Sequence, residues 1–421
     1  MFENNPIDRR WVFPAALLIW GCAVAFARTP LSTKWIRHTI DNSSLGADGV
    51  RTADINGDGL PDLVAGWEQG GVSRVYLMQR EGVAHPTWKM VEVGSAPSVE
   101  DALLVDLDQD GAVDVVSSTE GRHRKVLVHW ASEESENYGE SDAWRTEVLW
   151  GDDKQWMFAV SMDVDGKHGV DLVVGSKGPG AVLGWLESPE NPRVLSAWRF
   201  HSLTPVTWTM SIITEDMDGD GLDDIVVSDR KGEREGVFWL KNPGPRSSVL
   251  HEPWPKIWIA DDLEETTLID VADIDGDGRA EVIVPHMANE TEGALSIFGR
   301  SANGLWERTT IPVGSSQTHP KAVSAADINQ DGRMDLVLSF EKRKSPLAMG
   351  VIWLEQYGPV DQVRWIPRSV SGVEGIKFDL NLVIDIDGDG DLDIVNTEEN
   401  NNAQGGEAGL GLVWYENPLG R

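Results

Sequence analysis

Cysteine is almost absent. Cys22 is the only one in 421 residues, so no disulfide can form within the chain. Basic residues are scarce too: 36 Lys and Arg stand against 69 Asp and Glu. The resulting net charge of −33 would repel nucleic-acid phosphates and argues against that class of partner. Apolar runs are short. The longest, residues 12–27, is below the length of a membrane span, and nothing after it approaches one. No convincing 3.6-residue apolar period follows that run either, which excludes a helical architecture. Catalytic signatures are missing: there is no G-x-S-x-G elbow, no H-E-x-x-H pair and no Gly-rich phosphate loop. The nine His are scattered with no pair four apart, so a zinc enzyme is not expected; His123, His129 and His286 read as surface or second-strand residues.

The N-terminus carries an export pattern. Arg9 and Arg10 precede the apolar run, and Ala25-Phe26-Ala27 fits a small-x-small cleavage site. Residues 1–27 are therefore expected to be a signal peptide and residues 28–421 one mature domain, periplasmic, cell-surface or secreted. Residues 8–13 also resemble a twin-arginine signal. Cys22 is an alternative lipid-anchoring residue, although Trp20 sits where a lipobox carries a small side chain.

What the chain has in abundance is one acidic signature, seven times over. The copies are 54–62 (DINGDGLPD), 106–114 (DLDQDGAVD), 163–171 (DVDGKHGVD), 216–224 (DMDGDGLDD), 273–281 (DIDGDGRAE), 327–335 (DINQDGRMD) and 385–393 (DIDGDGDLD). Their first residues are spaced by 52, 57, 53, 57, 54 and 58 positions, a period that means stacked or circular supersecondary units. Within one period, residues 50–53, 63–67, 72–77 and 88–93 are short, rich in β-branched and aromatic residues, and bounded by turn residues. Four strands per period and seven periods predict an all-β fold, a seven-bladed β-propeller of four-stranded blades. Residues 34–40 read as a fourth strand, whereas 411–415 read as a third strand with none after it. The N-terminal strand is thus expected to complete the last blade and close the ring, leaving no open sheet edge.

In six copies, side-chain oxygens fall at positions 1, 3, 5 and 9 with Gly at 6, a hard-oxygen set suited to Ca²⁺. The expected ligands are Asp54, Asn56, Asp58 and Asp62; Asp106, Asp108, Asp110 and Asp114; Asp216, Asp218, Asp220 and Asp224. The second half of the ring repeats the pattern with Asp273, Asp275, Asp277 and Glu281; Asp327, Asn329, Asp331 and Asp335; Asp385, Asp387, Asp389 and Asp393. The closing acid at position 9 and the flanking strands exclude an EF-hand. The third loop breaks the rule, with Lys167 at position 5 and His168 at the Gly position. An ammonium placed there can pair with Asp163, Asp165 and Asp171, so this loop is expected to hold no cation.

These repeats resemble the FG-GAP/VCBS-type repeats of integrin α-subunit heads and of exported bacterial proteins, across nearly all of residues 34–416. The motif D-x-[DN]-x-D-G-x-x-[DE] stands complete at Asp54, Asp106, Asp216, Asp273, Asp327 and Asp385. The resemblance implies a seven-bladed propeller with Ca²⁺ between first and second strands. The Phe-Gly and Gly-Ala-Pro signatures of integrin repeats are not evident. Trp185-Leu186-Glu187, Trp239-Leu240-Lys241-Asn242-Pro243 and Trp414-Tyr415-Glu416-Asn417-Pro418 recur instead, which favours the bacterial branch over integrin-like recognition.

A ligand is expected on the face opposite the loops. Eight and six residues before each loop's first Asp lie Gly46/Asp48, Ser98/Glu100, Gln155/Met157, Trp208/Met210, Glu265/Thr267, His319/Lys321 and Lys377/Asp379. Alternation along a strand puts each pair on one side. The candidate binding residues are His319, Lys321, Lys377 and Asp379 for a charged group, with Trp208 and Trp156 for an apolar or sugar face. Two readings follow. The first is a non-catalytic, monomeric, calcium-binding scaffold for a glycan or extracellular protein. The second is a carbohydrate-active enzyme, a polysaccharide lyase or sugar dehydratase, in which Lys321, Lys377 and His319 would supply cation and base.

Overall fold

The computed structural model describes residues 34–80, 85–134, 137–301, 303–313, 318–342, 349–358, 363–399 and 409–420. The expected export signal and Cys22 lie outside the described residues. Twenty-eight strands form seven four-stranded antiparallel sheets. Blade 1 comprises β2 (Ala47–Ala53), β3 (Asp62–Trp67), β4 (Val72–Gln79) and β5 (Thr87–Ser95). Blades 2 to 6 follow in the same order over 99–151, 155–205, 209–260, 270–312 and 318–369. Blade 7 takes β26 (Phe378–Ile384), β27 (Asp393–Glu398) and β28 (Gly411–Glu416) from the C-terminus. Its fourth strand is β1 (Ile36–Asp41), paired antiparallel with β28 from Ile36 opposite Glu416 to Asp41 opposite Leu412.

The first strands touch their neighbours all the way around, blade 7 returning to blade 1, so the sheets form a ring. Each blade's middle strands are covered on both faces by adjacent blades. That is why β3 (DLVAGW) and β28 (GLVWYE) are buried at every position and read as unbroken apolar runs. The outer strand faces solvent on one side and alternates instead, as in β5, where Val91 and Val93 point inward between exposed Glu92 and Met90. Trp67, Trp130, Trp156, Trp185 and Trp414 are among the largest wholly buried side chains. Flat aromatic groups of this size fill the wedge between blades, which widens away from the axis.

The first strands of six blades carry a register shift near their start, between Asp48 and Val50 in blade 1 and between Phe378 and Asn381 in blade 7. Such a bulge re-aims the preceding side chains. It decides which residues face the axis.

Candidate functional site

Each acidic turn joins a blade's first and second strands, so all seven open on one face. The turn is closed by its first residue: Asp54 Oδ1 accepts the Asp58 N–H at 3.0 Å, and Oδ2 accepts the Gly59 N–H at 2.9 Å. Gly59 sits at φ 81°, a conformation that glycine adopts without steric cost. The ninth-position acid does different work. Asp62 is wholly buried, and its two oxygens accept the N–H of Ile55 at 3.0 Å and of Met78 at 2.7 Å. The same double tie recurs at Asp114, Asp171, Asp224 and Asp393, each linking its own turn to the end of the third strand. Burial raises these carboxyls, Asp62 to about 6 and Asp114 and Asp393 to about 8, partly offset by the backbone donors.

The donor set fits a hard divalent cation. Asp106, Asp108 and Asp114 each bring an oxygen within 4.8 Å of the others. The first-position oxygens Asp106 Oδ1 and Asp385 Oδ1 are buried with no hydrogen-bond partner among the described residues, and a buried carboxylate oxygen so placed suits a cation. Basic side chains lean over several of the turns, the Asp106 turn among them. Arg193 reaches Asp108 and Asp110, and Lys241 reaches Asp218 and Asp220. In the third loop, Lys167 Nζ lies 2.7 Å from Asp165 Oδ2, and His168 takes the Gly position at φ 56°. The ammonium thus pairs with Asp165; no ion pair joins it to Asp163 or Asp171 among the described contacts.

A cavity of about 210 Å³ opens at the start of the first strands and the end of the second strands, on the face opposite these turns. Its lining includes Asp48, Glu100, Met157, Met210, Lys321 and Asp379, six of the seven residues six positions before a loop. Trp208 and Lys377 line it too. Two other expected residues do not. Trp156 is wholly buried between blades, edge-on to Phe200 at 5.8 Å; it stands seven residues before its loop, on the side of the strand opposite Met157. His319 is wholly buried and faces Glu265 at 3.7 Å.

The cavity also has a ring the sequence reading did not pick out: Glu68, Glu120, Lys177, Arg230 and Glu399. All stand fourteen places after a loop's first Asp, from 54 to 68 through 385 to 399, so the loop period itself marks them. These two rings interlock. Lys321 pairs with Asp379 at 3.2 Å, Lys377 with Glu399, and Lys177 with Glu120 and, at 3.4 Å, Glu100. Lys177 and Arg230 also lie over the Trp208 ring at 4.6 and 5.3 Å. The lysines are therefore not a free basic arc, since each already faces a carboxylate. Six acids face four bases in the lining, but burial pushes Glu100 up to about 8, helped by Glu120 and Glu68, so the formal excess of acid is not all charge at neutral pH. Asp48 is raised by burial and then by Asp379 and Glu100.

A closed ring of seven blades with a carboxylate turn on every first connection defines the class as a seven-bladed β-propeller. The FG-GAP-like repeat family matches residues 54–117, 216–284 and 273–338, so the propeller carries FG-GAP-like repeats. No curated protein matches the chain. No helix among the described residues is long and apolar enough to cross a membrane.

Proposed function

We propose that this propeller is an exported, calcium-stabilised binding or scaffolding module whose axial cavity receives a group from a glycan or protein partner. Calcium in six turns would be held by the residues at positions 1, 3 and 5, with the ninth-position carboxylate at the base. It would replace the absent disulfides by tying loop to sheet. The observation that carries the binding reading is the axial cavity. Trp208, Met157 and Met210 give it an apolar wall, and its surplus carboxyl groups offer hydrogen bonds to sugar hydroxyls, amino sugars or basic side chains. An anionic sugar would find each of the lining's four cations already paired with a carboxylate.

The lyase reading needs an accessible base and an available cation. His319 is wholly buried and Lys321 is tied to Asp379, so neither is placed for that task.

The test is co-sedimentation in calcium with neutral, amino and acidic polysaccharides and a basic peptide, with mass spectrometry of the sugars. Lys377→Met with Glu399→Gln removes a charge pair without leaving either ion alone. It is expected to weaken binding at least tenfold while melting changes little. Binding unaffected by this pair would move the site elsewhere, and depolymerised sugar would make the protein an enzyme.

A further inference from the structure

Two blades carry the same cluster of metal-ligating side chains, remote from the axis. In blade 7 the His38 ring of β1 stacks on Trp414 of β28 at 4.3 Å and 16°. Its Nε2 lies 2.8 Å from Glu416 Oε2. In blade 3, β12 (Val182–Glu187) and β13 (Arg199–Pro205) repeat this arrangement. His201 stacks on Trp185 at 4.7 Å and 28°, with Nε2 2.7 Å from Glu187 Oε2. A second imidazole completes each cluster, supplied both times by the following blade's connection between third and fourth strands. His85 lies 4.8 Å from His38 between ring centroids, and His251 lies 4.6 Å from His201. In each trio, one ligand atom per residue lies within 4.8 Å of the other two.

Packing alone accounts for half of this. In blade 6, β24 (Val351–Tyr357) and β25 (Arg364–Ser369) put Arg368 over the Trp353 ring at 5.5 Å, its Nε 2.6 Å from Glu355. A cation stacked on Trp and paired to Glu is thus a structural device of this fold, and Arg fills it better than His because it is always charged. Blades 3 and 7 use His instead, and these are the two in which the next blade delivers a second His. The replacement costs a permanent ion pair and gains a second nitrogen ligand.

We propose that His38, His85 and Glu416, and likewise His201, His251 and Glu187, are two equivalent sites for a divalent transition metal of the Zn²⁺ class. Two imidazoles and one carboxylate are the donors such an ion prefers, and hard Ca²⁺ is poorly served by them. Three protein ligands leave a fourth position for water or a partner's side chain. Both sites lie on the loop face. The residue after each Glu, Ser188 or Asn417, donates its N–H at 2.8 Å to the ninth-position carboxylate of that blade's acidic turn. Each ion would also bridge two blades, one of them across the point where the ring is closed by β1.

Calorimetric titration of the full-length chain with Zn²⁺, in excess calcium to occupy the acidic turns, tests this. Two saturable equivalents are expected. His85→Ala and His251→Ala should each remove one and the double variant both; both residues are exposed, so the calcium-form melting temperature should hold. His38→Arg should keep the stack and ion pair, and hence stability, while losing zinc at that site. No saturable uptake, or uptake retained by the double variant, would overturn the assignment.

Discussion

Single residues in this ring are held in charge states that set its response to pH. Glu100 is nearly buried, and its carboxyl is raised from 4.5 to about 8, first by burial and then by Glu120 and Glu68, against the pull of Lys177. An acid raised in the fold binds more protons there than in the unfolded chain, so stability is greatest below about 4.5 and falls as pH rises toward 8. Glu100→Gln removes this dependence while Lys177 keeps Glu120 as a partner. It is expected to add on the order of 1–3 kcal/mol at pH 9 and little at pH 5, read from urea midpoints at the two pH values. An equal change at both would mean that Glu100 is not protonated in the fold. The third acidic turn offers a converse case. Lys167 pairs with Asp165 where the other turns have a fifth-position acid, and His168 occupies a left-handed backbone position. Lys167→Asp with His168→Gly restores the signature and is expected to add one calcium equivalent in calorimetry. An unchanged stoichiometry would show that more than these two side chains closes the loop to calcium.

At the scale of the element, the acidic turn divides its carboxylates between two tasks. Asp218 at position 3 is exposed, whereas Asp62 at position 9 holds two buried backbone N–H groups. Asp218→Ala is therefore expected to lower the melting temperature in calcium and leave it unchanged in chelator. Asp62→Ala should cost about 2–4 kcal/mol in both, because two buried donors lose their acceptor. If chelation erased the Asp62 effect as well, the ninth position would act only through the metal. This division marks how far the sequence could be read. The nine-residue signature, its spacing of 52–58 residues and its flanking β-branched segments gave strand count, blade order and the closing role of residues 34–40, because those depend on local pattern. The axial residues Asp48, Glu100, Met210 and Lys321 followed from strand alternation. Trp156 and His319 did not: Trp156 stands one residue out of that alternation, and of the residues eight before a loop only Trp208 and Lys377 reach the cavity, a choice made by tertiary packing. The His trios were illegible for a different reason. His38 and Glu416 stand far apart in sequence and only ring closure makes them neighbours, while His201 and His251 meet only where blades 3 and 4 pack together.

That closure is the property on which the whole molecule depends. β28 is buried along its entire length because β1 covers its outer edge, and Trp35 and Ile40 pack with Trp414, Val413 and Tyr415 in the adjoining cores. A chain beginning at Asn42 would expose the β28 backbone as an open edge and unseat Trp35, leaving blade 7 with three strands. Its melt is expected to fall by roughly 10 °C or more and to broaden, since loss of one strand's pairing and burial costs several kcal/mol. Open edges should also appear as oligomers in size-exclusion chromatography. A synthetic peptide of residues 34–41 should restore both the melting temperature and the monomer by adding itself as the missing strand. If the shortened chain melted as the full one does, closure by β1 would be ornamental, and the ring would be held by contacts between its innermost strands alone.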